Sequence, residues 1–318
     1  MLREASIPHY EVCDLECKDV RTMLKTLRSL IQVIKKEKIE ILHTHHRMAS
    51  VYGAILKMIF PKLQLLYTAH NVFYNKKLST RFGLKSSSIV AVGNNVKQNL
   101  IEYFSVDPEK IQVIYNAVEE GERCNSNPRL SEWKKQDEIL VGLIGRLSEQ
   151  KGVDVFLEAF CKAKKEEPRL KGVIIGDGEM REEIEEIIIR MGFQNDIYMM
   201  GYQKDVTSLI EQLDFAVMPS RWEGFPLTPI ELFSVGKTLI GSDIGGINEI
   251  VQNNVNGILV PQNDSDAFAK AILDLANDKT KRERMERAGM EYYKKYVDYD
   301  KFMEQYISVY ESLIQEHL

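Results

Sequence analysis

The chain has 318 residues, 44% of them apolar and 28% charged, a composition suited to a globular protein long enough for two ordinary domains. No run of roughly 18 or more uncharged apolar residues occurs, so a membrane-spanning helix is not expected, and the opening MLREASIPHYEV lacks the apolar stretch of a secretory leader. The net charge of −5 is unevenly divided: residues 1–136 hold 21 Lys and Arg against 14 Asp and Glu, the remainder 21 against 33, so a +7 half precedes a −12 half.

That asymmetry predicts two surfaces with different partners. The basic half has neither zinc-finger spacing nor an aromatic-interleaved basic motif, so nucleic acid is not an expected partner. An anionic membrane surface or a phosphorylated acceptor suits the charge, and so does a solvated lysine-rich face. The cysteines Cys13, Cys17, Cys124 and Cys161 are scattered as in a reduced, cytoplasmic protein rather than paired in a disulfide framework. His9, Cys13 and Cys17 share a four-residue spacing, but a metal site there needs a fourth ligand that the nearby sequence lacks, so plain thiols are expected.

Taken in chain order, short β-branched runs alternate with amphipathic helical patterns. Residues 8–15 could form a first strand. A helix over Val20–Glu37, with apolar residues at one-turn spacing, precedes a strand at 39–44, at whose end stand His43, His45 and His46. The next strand, 63–68, leads to His70. Strand carboxyl ends form the ligand edge of a parallel sheet, so two histidine clusters on adjacent strand ends point to function, where a lone histidine would be structural. No carboxylate or thiol nearby completes a zinc set around them. Strands at 88–92 and 111–115 flank a helix at 94–104. The polar stretch 119–137 is expected to be an inter-domain linker with little structure of its own.

A strand at 139–144 runs into Gly145-Arg146-Leu147-Ser148-Glu149-Gln150-Lys151-Gly152 and then a helix at 153–164. Two cations where a strand hands over to a helix suit a diphosphate: Arg146 can fork onto it and Lys151 supplies a point charge. An ordinary loop with exposed cations is the alternative. Strand 171–175 is followed by Gly176-Asp177-Gly178 and a helix at 180–191. The third glycine of a dinucleotide fingerprint is missing, Arg181 stands in its place, and Asp177 and Glu179 would repel a pyrophosphate. A tight turn is therefore expected and a nicotinamide or flavin site is excluded. After strands 197–200 and 215–218 comes Glu223-Gly224-Phe225-Pro226-Leu227-Thr228-Pro229-Ile230-Glu231, with a helix expected at 229–235. Backbone N–H groups there could receive phosphate or sugar oxygens, and a carboxylate just inside the helix suits a ribose diol. A dipole-stabilising carboxylate beside an unrelated loop glutamate is the alternative. Strands at 238–242 and 257–260 precede a charged helical tail whose aromatic residues, Tyr292 to Tyr310, are expected to be a packing face. The alternation throughout predicts an α/β fold with parallel sheets and right-handed crossovers.

Gly-Arg-Leu…Lys-Gly, then Gly-Asp-Gly, then the two glutamates eight apart, then Gly245-Gly246-Ile247-Asn248-Glu249 together resemble glycosyltransferase family 4, from about residue 39 to about residue 270. In Tyr115-Asn116-Ala117-Val118 the family usually has glycine where Ala117 stands. The resemblance implies a GT-B fold, two Rossmann-like domains with parallel sheets facing across a cleft. The domains would be 1–136, joined by a C-terminal helix at 301–318, and 137–300. It implies a retaining transfer from a nucleotide-diphosphate-sugar, a UDP-sugar first, to a glycan or lipid-linked acceptor in cell-surface polysaccharide synthesis, with no metal or other cofactor. Arg146 and Lys151 would hold the diphosphate. Glu231 would hold the ribose, and Glu223 with Gly224, Phe225, Pro226, Leu227 and Thr228 the sugar and β-phosphate. His70 would contact the donor sugar, and His45 and Asn116 would add substrate contacts. Because a donor phosphate oxygen deprotonates the acceptor in the family's front-face mechanism, the two glutamates are not an acid and nucleophile pair.

The resemblance departs at the start. The family opens with a strand ending in a glycine-rich turn, nothing before residue 39 matches it, and no glycine precedes Gly53, so the N-terminal domain is expected to be incomplete and shortened. A non-catalytic nucleotide-sugar-binding partner of another transferase is the alternative function. A sugar-nucleotide epimerase fits the Gly-Arg-Leu…Lys-Gly motif less well. The site of action is expected to be the cytoplasm, including the inner face of the membrane.

Overall fold

A computed structural model describes residues 7–12, 19–118, 128–135 and 137–315. The chain divides into two compact units, one of Met1–Tyr115 with Met303–Leu318, the other of Asn116–Phe302. Cys13, Cys17 and Cys124 lie outside the described residues, as do most of the linker stretch and the end of the proposed first strand at 13–15. The described part of that strand, residues 8–12, is irregular backbone.

The first unit contains α1 (Val20–Glu37), β1 (Ile41–Thr44), α2 (Arg47–Ile59), β2 (Gln64–Ala69), α3 (Lys77–Leu84), β3 (Ser88–Ala91), α4 (Asn94–Glu102) and β4 (Ile111–Val113). Its sheet, among the described residues, has four parallel strands in the order β1-β2-β3-β4. Register is set by pairs such as Ile41 with Gln64 and Leu66 with Ser88. Parallel strands are covered on both faces, so they need continuous apolar runs, and Leu65, Leu66, Tyr67, Ile89, Val90 and Ala91 are all buried. α1 starts where the Asp19 carboxylate accepts from Thr22 N at 2.9 Å, and it packs Leu27, Leu30, Ile31 and Ile34 against Leu56, Leu63 and Leu65.

The second unit contains α5 (Pro128–Trp133), β5 (Ile139–Ile144), α6 (Val153–Glu166), β6 (Leu170–Ile175), α7 (Arg181–Arg190), β7 (Ile197–Gly201), α8 (Thr207–Ile210), β8 (Phe215–Met218), α9 (Leu227–Ser234), β9 (Leu239–Ser242), β10 (Ile258–Val260), α10 (Ser265–Asn277), α11 (Lys279–Tyr296) and the start of α12 (Tyr299–Gln315). Its parallel sheet runs β10-β9-β8-β5-β6-β7. In order of occurrence that is three-two-one-four-five-six, the doubly wound arrangement, and the strand order reverses between β5 and β8. Phe156, Phe160, Phe215 and Phe268 fill the layers between sheet and helices.

The expectation of little structure at 119–137 fails in its second half. α5 forms there because Leu130 is fully buried and the Trp133 ring packs 5.6 Å from Tyr198, with Lys171 over its face. A short apolar pair one turn apart is enough to dock a helix, and a polar average over the window hides it.

Candidate active site

The second unit brings two of the predicted motifs together at the reversal point, where a doubly wound sheet opens a crevice beyond its strand ends. β5 ends at Gly145, and a single 3-10 turn carries Glu149, Gln150 and Lys151 into α6. β8 ends at Met218, and the following loop carries Arg221, Trp222 and Glu223. The two loops are laced together: Arg221 N donates to Gln150 O at 2.7 Å, Gln150 Nε2 donates to Trp222 O at 2.9 Å, and Arg221 forks onto Asp154. Lys151 Nζ then donates to Glu223 Oε1 at 2.7 Å, and Gln150 Nε2 reaches Glu223 Oε2 at 3.3 Å. Glu223 is 6% exposed, so this is a desolvated ion pair rather than a surface contact. An ammonium has three donors, and the bond to Glu223 uses one.

The Glu223-Gly224 backbone is overlaid by the loop after β9. A Cβ on Gly246, at φ 89°, would fall 2.4 Å from Gly224 O, so glycine is required for that approach. Asn116 Nδ2 donates to Phe225 O at 2.9 Å, and this bond fixes the loop from its other side. α9 then starts at Leu227, two residues earlier than expected, with extended Pro226 as its N-cap and no side chain capping it. Pro229 is its third residue, where the missing N–H has no intrahelical partner to lose. The N–H groups of Leu227 and Thr228 are thus left as first-turn donors. Glu231 lies one turn further in, largely buried. Burial raises its carboxyl above the ordinary carboxylate range, and the charge of Lys151 opposes that rise.

Arg146 takes a different place. Its side chain is 73% exposed, and its Nε donates to Glu179 at 3.0 Å on the loop after β6. The Gly-Asp-Gly turn serves the backbone: Leu147 N donates to Asp177 O, Met180 N donates to Leu147 O, and a Cβ on Gly176, at φ 143°, would fall 1.8 Å from Gly145 O. The turn is a backbone brace for the Arg146 loop.

In the first unit His45 and His70 are stacked at 5.2 Å between ring centroids, and His45 Nδ1 and His70 Nε2 share a hydrogen bond at 2.9 Å. Burial lowers the pKa of both. His43 is pushed down to about 4, by burial first and then by the neighbouring His45 and His70. Its Nδ1 meets the Tyr310 hydroxyl and its Nε2 the Thr68 hydroxyl, each at 2.7 Å, and Thr68 in turn meets the Tyr306 hydroxyl at 3.2 Å. His46 caps α2, its Nδ1 accepting from Met48 N at 3.3 Å.

Two Asp-x-Asp triplets, a pattern often read as metal-binding, occur at Asp264-Ser265-Asp266 and Asp298-Tyr299-Asp300. Each opens a helix: Asp264 accepts from Ala267 N and Asp298 from Lys301 N, both at 2.9 Å. Sequence reading missed Gln150 and Arg221, which lace the two loops, and Thr68, Tyr306 and Tyr310, which hold His43. Gln150 was visible beside Lys151. The Tyr306 and Tyr310 spacing was visible as a packing face, but not as donors to a histidine far away in sequence.

Two parallel-sheet units, one of them doubly wound with cationic and carboxylate loops at its reversal point, are the architecture of the GT-B glycosyltransferase fold. Residues 129–292 match the glycosyl transferases group 1 family and residues 7–122 match glycosyltransferase family 4, and the chain belongs to glycosyltransferase family 4. It is 30% identical to the UDP-Gal:alpha-D-GlcNAc-diphosphoundecaprenol alpha-1,3-galactosyltransferase of Escherichia coli, over 80% of this chain and 71% of that one. It is 26% identical to the N-acetyl-alpha-D-glucosaminyl L-malate synthase of Bacillus anthracis, over 90% and 78%. The fold is similar to that of Anabaena Alr3699/HepE in complex with UDP and glucose, at a TM-score of 0.85 and 21% identity, covering 98% of this chain and 88% of that one.

Proposed function

We propose that this glycosyltransferase moves a sugar from a UDP-sugar to a glycan or lipid-linked acceptor, with retention of anomeric configuration and without a metal ion, in the synthesis of a cell-surface polysaccharide. The observation that carries this reading is the buried Lys151–Glu223 pair at the strand-order reversal, beside the uncapped start of α9. A diphosphate there meets two remaining ammonium protons of Lys151 and the first-turn N–H groups of α9, all fixed before the reaction begins. Fixed donors aimed at the charge that develops on the leaving UDP are the largest single source of rate enhancement in such transfers. Arg146 is assigned to the same diphosphate, leaving Glu179 to reach it, since an exposed ion pair costs little to break.

Glu231 is assigned to the ribose hydroxyls and Glu223 to the donor sugar. Asn116 is assigned to the Phe225 loop, through which it acts on the substrate. On the first unit, His70 backed by His45 is assigned as a neutral hydrogen-bonding group for a sugar hydroxyl. The UDP-linked relatives and neighbours support the choice of donor nucleotide. The test is incubation of the purified chain with UDP-galactose, UDP-glucose or UDP-N-acetylglucosamine and a polyprenyl-diphosphate-linked sugar as acceptor in EDTA, with NMR of the product. Release of UDP with an α-linked product is expected. An inverted product, or activity only after Mn²⁺ is restored, would overturn the reading.

A further inference from the structure

Between Glu40 and Glu102 the chain has no acidic residue, while Arg47, Lys57, Lys62, Lys76, Lys77, Arg81, Lys85 and Lys97 fall within that stretch. At its middle stands α3, and the side it turns away from α2 is unusual. Thr80, Gly83 and Leu84 are buried, and Gly83 packs so tightly on the first turn of α2 that an added Cβ would fall 2.4 Å from Ser50 Oγ. Leu78 is 83% exposed and Phe82, one turn on, 44%. Tyr74, four residues before Leu78, is 70% exposed and is edge-on to Tyr103, whose hydroxyl donates to Tyr74 O at 2.7 Å. The tyrosine is therefore held outward rather than free to fold back. Lys76, Lys77, Arg81 and Lys85 surround these three side chains and are all exposed. At the C-terminal end of α3 a cavity of about 430 Å³ is lined by Arg81, Lys85 and Lys110 with one carboxylate, Asp107, and by Phe82 and Phe104.

Single exposed leucines need no explanation. A leucine and a phenylalanine one turn apart on α3, with a tyrosine just before the helix and a run of cations in a stretch of sequence without acidic residues, do need one. Apolar side chains lose water at a bilayer's headgroup boundary, and each cation near an anionic leaflet adds attraction that decays over about a Debye length. Nucleic acid would satisfy the cations but leave Leu78 in water. Among the described residues no helix is long and apolar enough to cross a membrane.

We propose that α3 with Tyr74 is a membrane-docking surface: Tyr74, Leu78 and Phe82 enter the headgroup boundary of an anionic bilayer while Lys76, Lys77, Arg81 and Lys85 bind lipid phosphates. The surface begins a few residues after His70, so docking places the ligand edge of the first unit near the bilayer, where a lipid-linked acceptor is found. It stands on the first unit alone, apart from the donor chemistry of the second.

The experiment is co-sedimentation of the full chain with phosphatidylcholine vesicles and with vesicles containing phosphatidylglycerol, at low and at 0.5 M salt (about a threefold shorter screening length than at 0.05 M). UDP binding is measured on every variant as a check on the fold and on the donor site. Wild type is expected to sediment with the anionic vesicles only. Leu78→Asp/Phe82→Ser and Lys76→Gln/Lys77→Gln/Arg81→Gln should each weaken partition more than about tenfold with UDP binding unchanged. A Trp placed by Leu78→Trp should shift to shorter emission wavelength on anionic vesicles. No vesicle binding by wild type, or binding indifferent to Leu78→Asp/Phe82→Ser, overturns the proposal. So does binding to soluble heparin or duplex DNA that matches vesicle binding and is lost only with the cations, which assigns the surface to a polyanion.

Discussion

The two units solve the same task, presenting polar groups at the carboxyl edge of a parallel sheet, in opposite ways. The second uses charge: Lys151, Glu223 and Glu231 are desolvated together, and neighbouring loops only a few residues from each strand end hold them. The first uses neutral groups: His43, His45, His70 and Thr68 are linked in a chain whose pKa values are driven down by burial, and two of its members' partners come from α12, at the far end of the sequence. Charged sites are built by local motif, because a buried charge must find its partner or unfold the loop. Neutral sites can recruit a hydroxyl from anywhere that packing supplies one.

If that contrast is right, the largest effect should follow the loss of a buried charge. Lys151→Ala is expected to lower kcat/KM by about 30- to 800-fold, from roughly 2–4 kcal/mol of lost transition-state stabilisation. It should also lower stability by about 3–5 kcal/mol by stranding Glu223. Lys151→Ala/Glu223→Gln should recover most of the melting temperature and none of the activity. Arg146→Ala should cut transfer with no measurable change in melting temperature, because its ion pair is exposed. Equal loss of stability in the Arg146 and Lys151 variants would erase the distinction between them.

Next in size is the backbone brace. Gly176→Ala forces a side chain into a left-handed position against Gly145 O and should cost at least about 2 kcal/mol by denaturant unfolding. Gly192→Ala, also at positive φ but with open space around it, is the milder control.

The neutral unit should report itself in acid. His43, His45 and His70 bind protons more readily unfolded than folded, so their contribution is complete above about pH 6.5. It is lost as pH falls toward the folded value of about 4 for His43. His43 should account for on the order of 1–2 kcal/mol of that loss, since its solvent-facing part is screened, and His43→Gln should flatten the profile between those values. A His43→Gln profile as steep as wild type would remove the histidine chain as its cause.

The smallest effect has the opposite sign. The Glu231 carboxyl titrates above its ordinary range, so ionisation favours the unfolded state as pH rises through and beyond the ordinary carboxylate value. Glu231→Gln should therefore raise the melting temperature of the nucleotide-free protein at neutral pH, while raising KM for donor. Glu223→Gln should act on kcat instead.

The strands were legible because a parallel strand covered on both faces has to be a continuous apolar run, and 139–144 and 215–218 are such runs. The helix α3 was not, because its outward leucine and phenylalanine blur the polar–apolar contrast that marks a surface helix. Arg146 and Lys151 read as equals in the motif, since sequence spacing does not reveal that Glu223, on a loop far along the chain, draws Lys151 inward while Arg146 remains in solvent. The histidine cluster was visible as two strand ends, yet the hydroxyl partners of His43 and Thr68 lie more than 200 residues away, at Tyr310 and Tyr306.

Calorimetric titration of UDP into the chain in the presence of EDTA, beside the same titration of Lys151→Ala/Glu223→Gln, tests the centre of the account. Binding of UDP without a divalent ion, weakened at least about 30-fold in the double variant, is the predicted result. Binding that needs Mg²⁺ or Mn²⁺, or that is the same in both proteins, would contradict it.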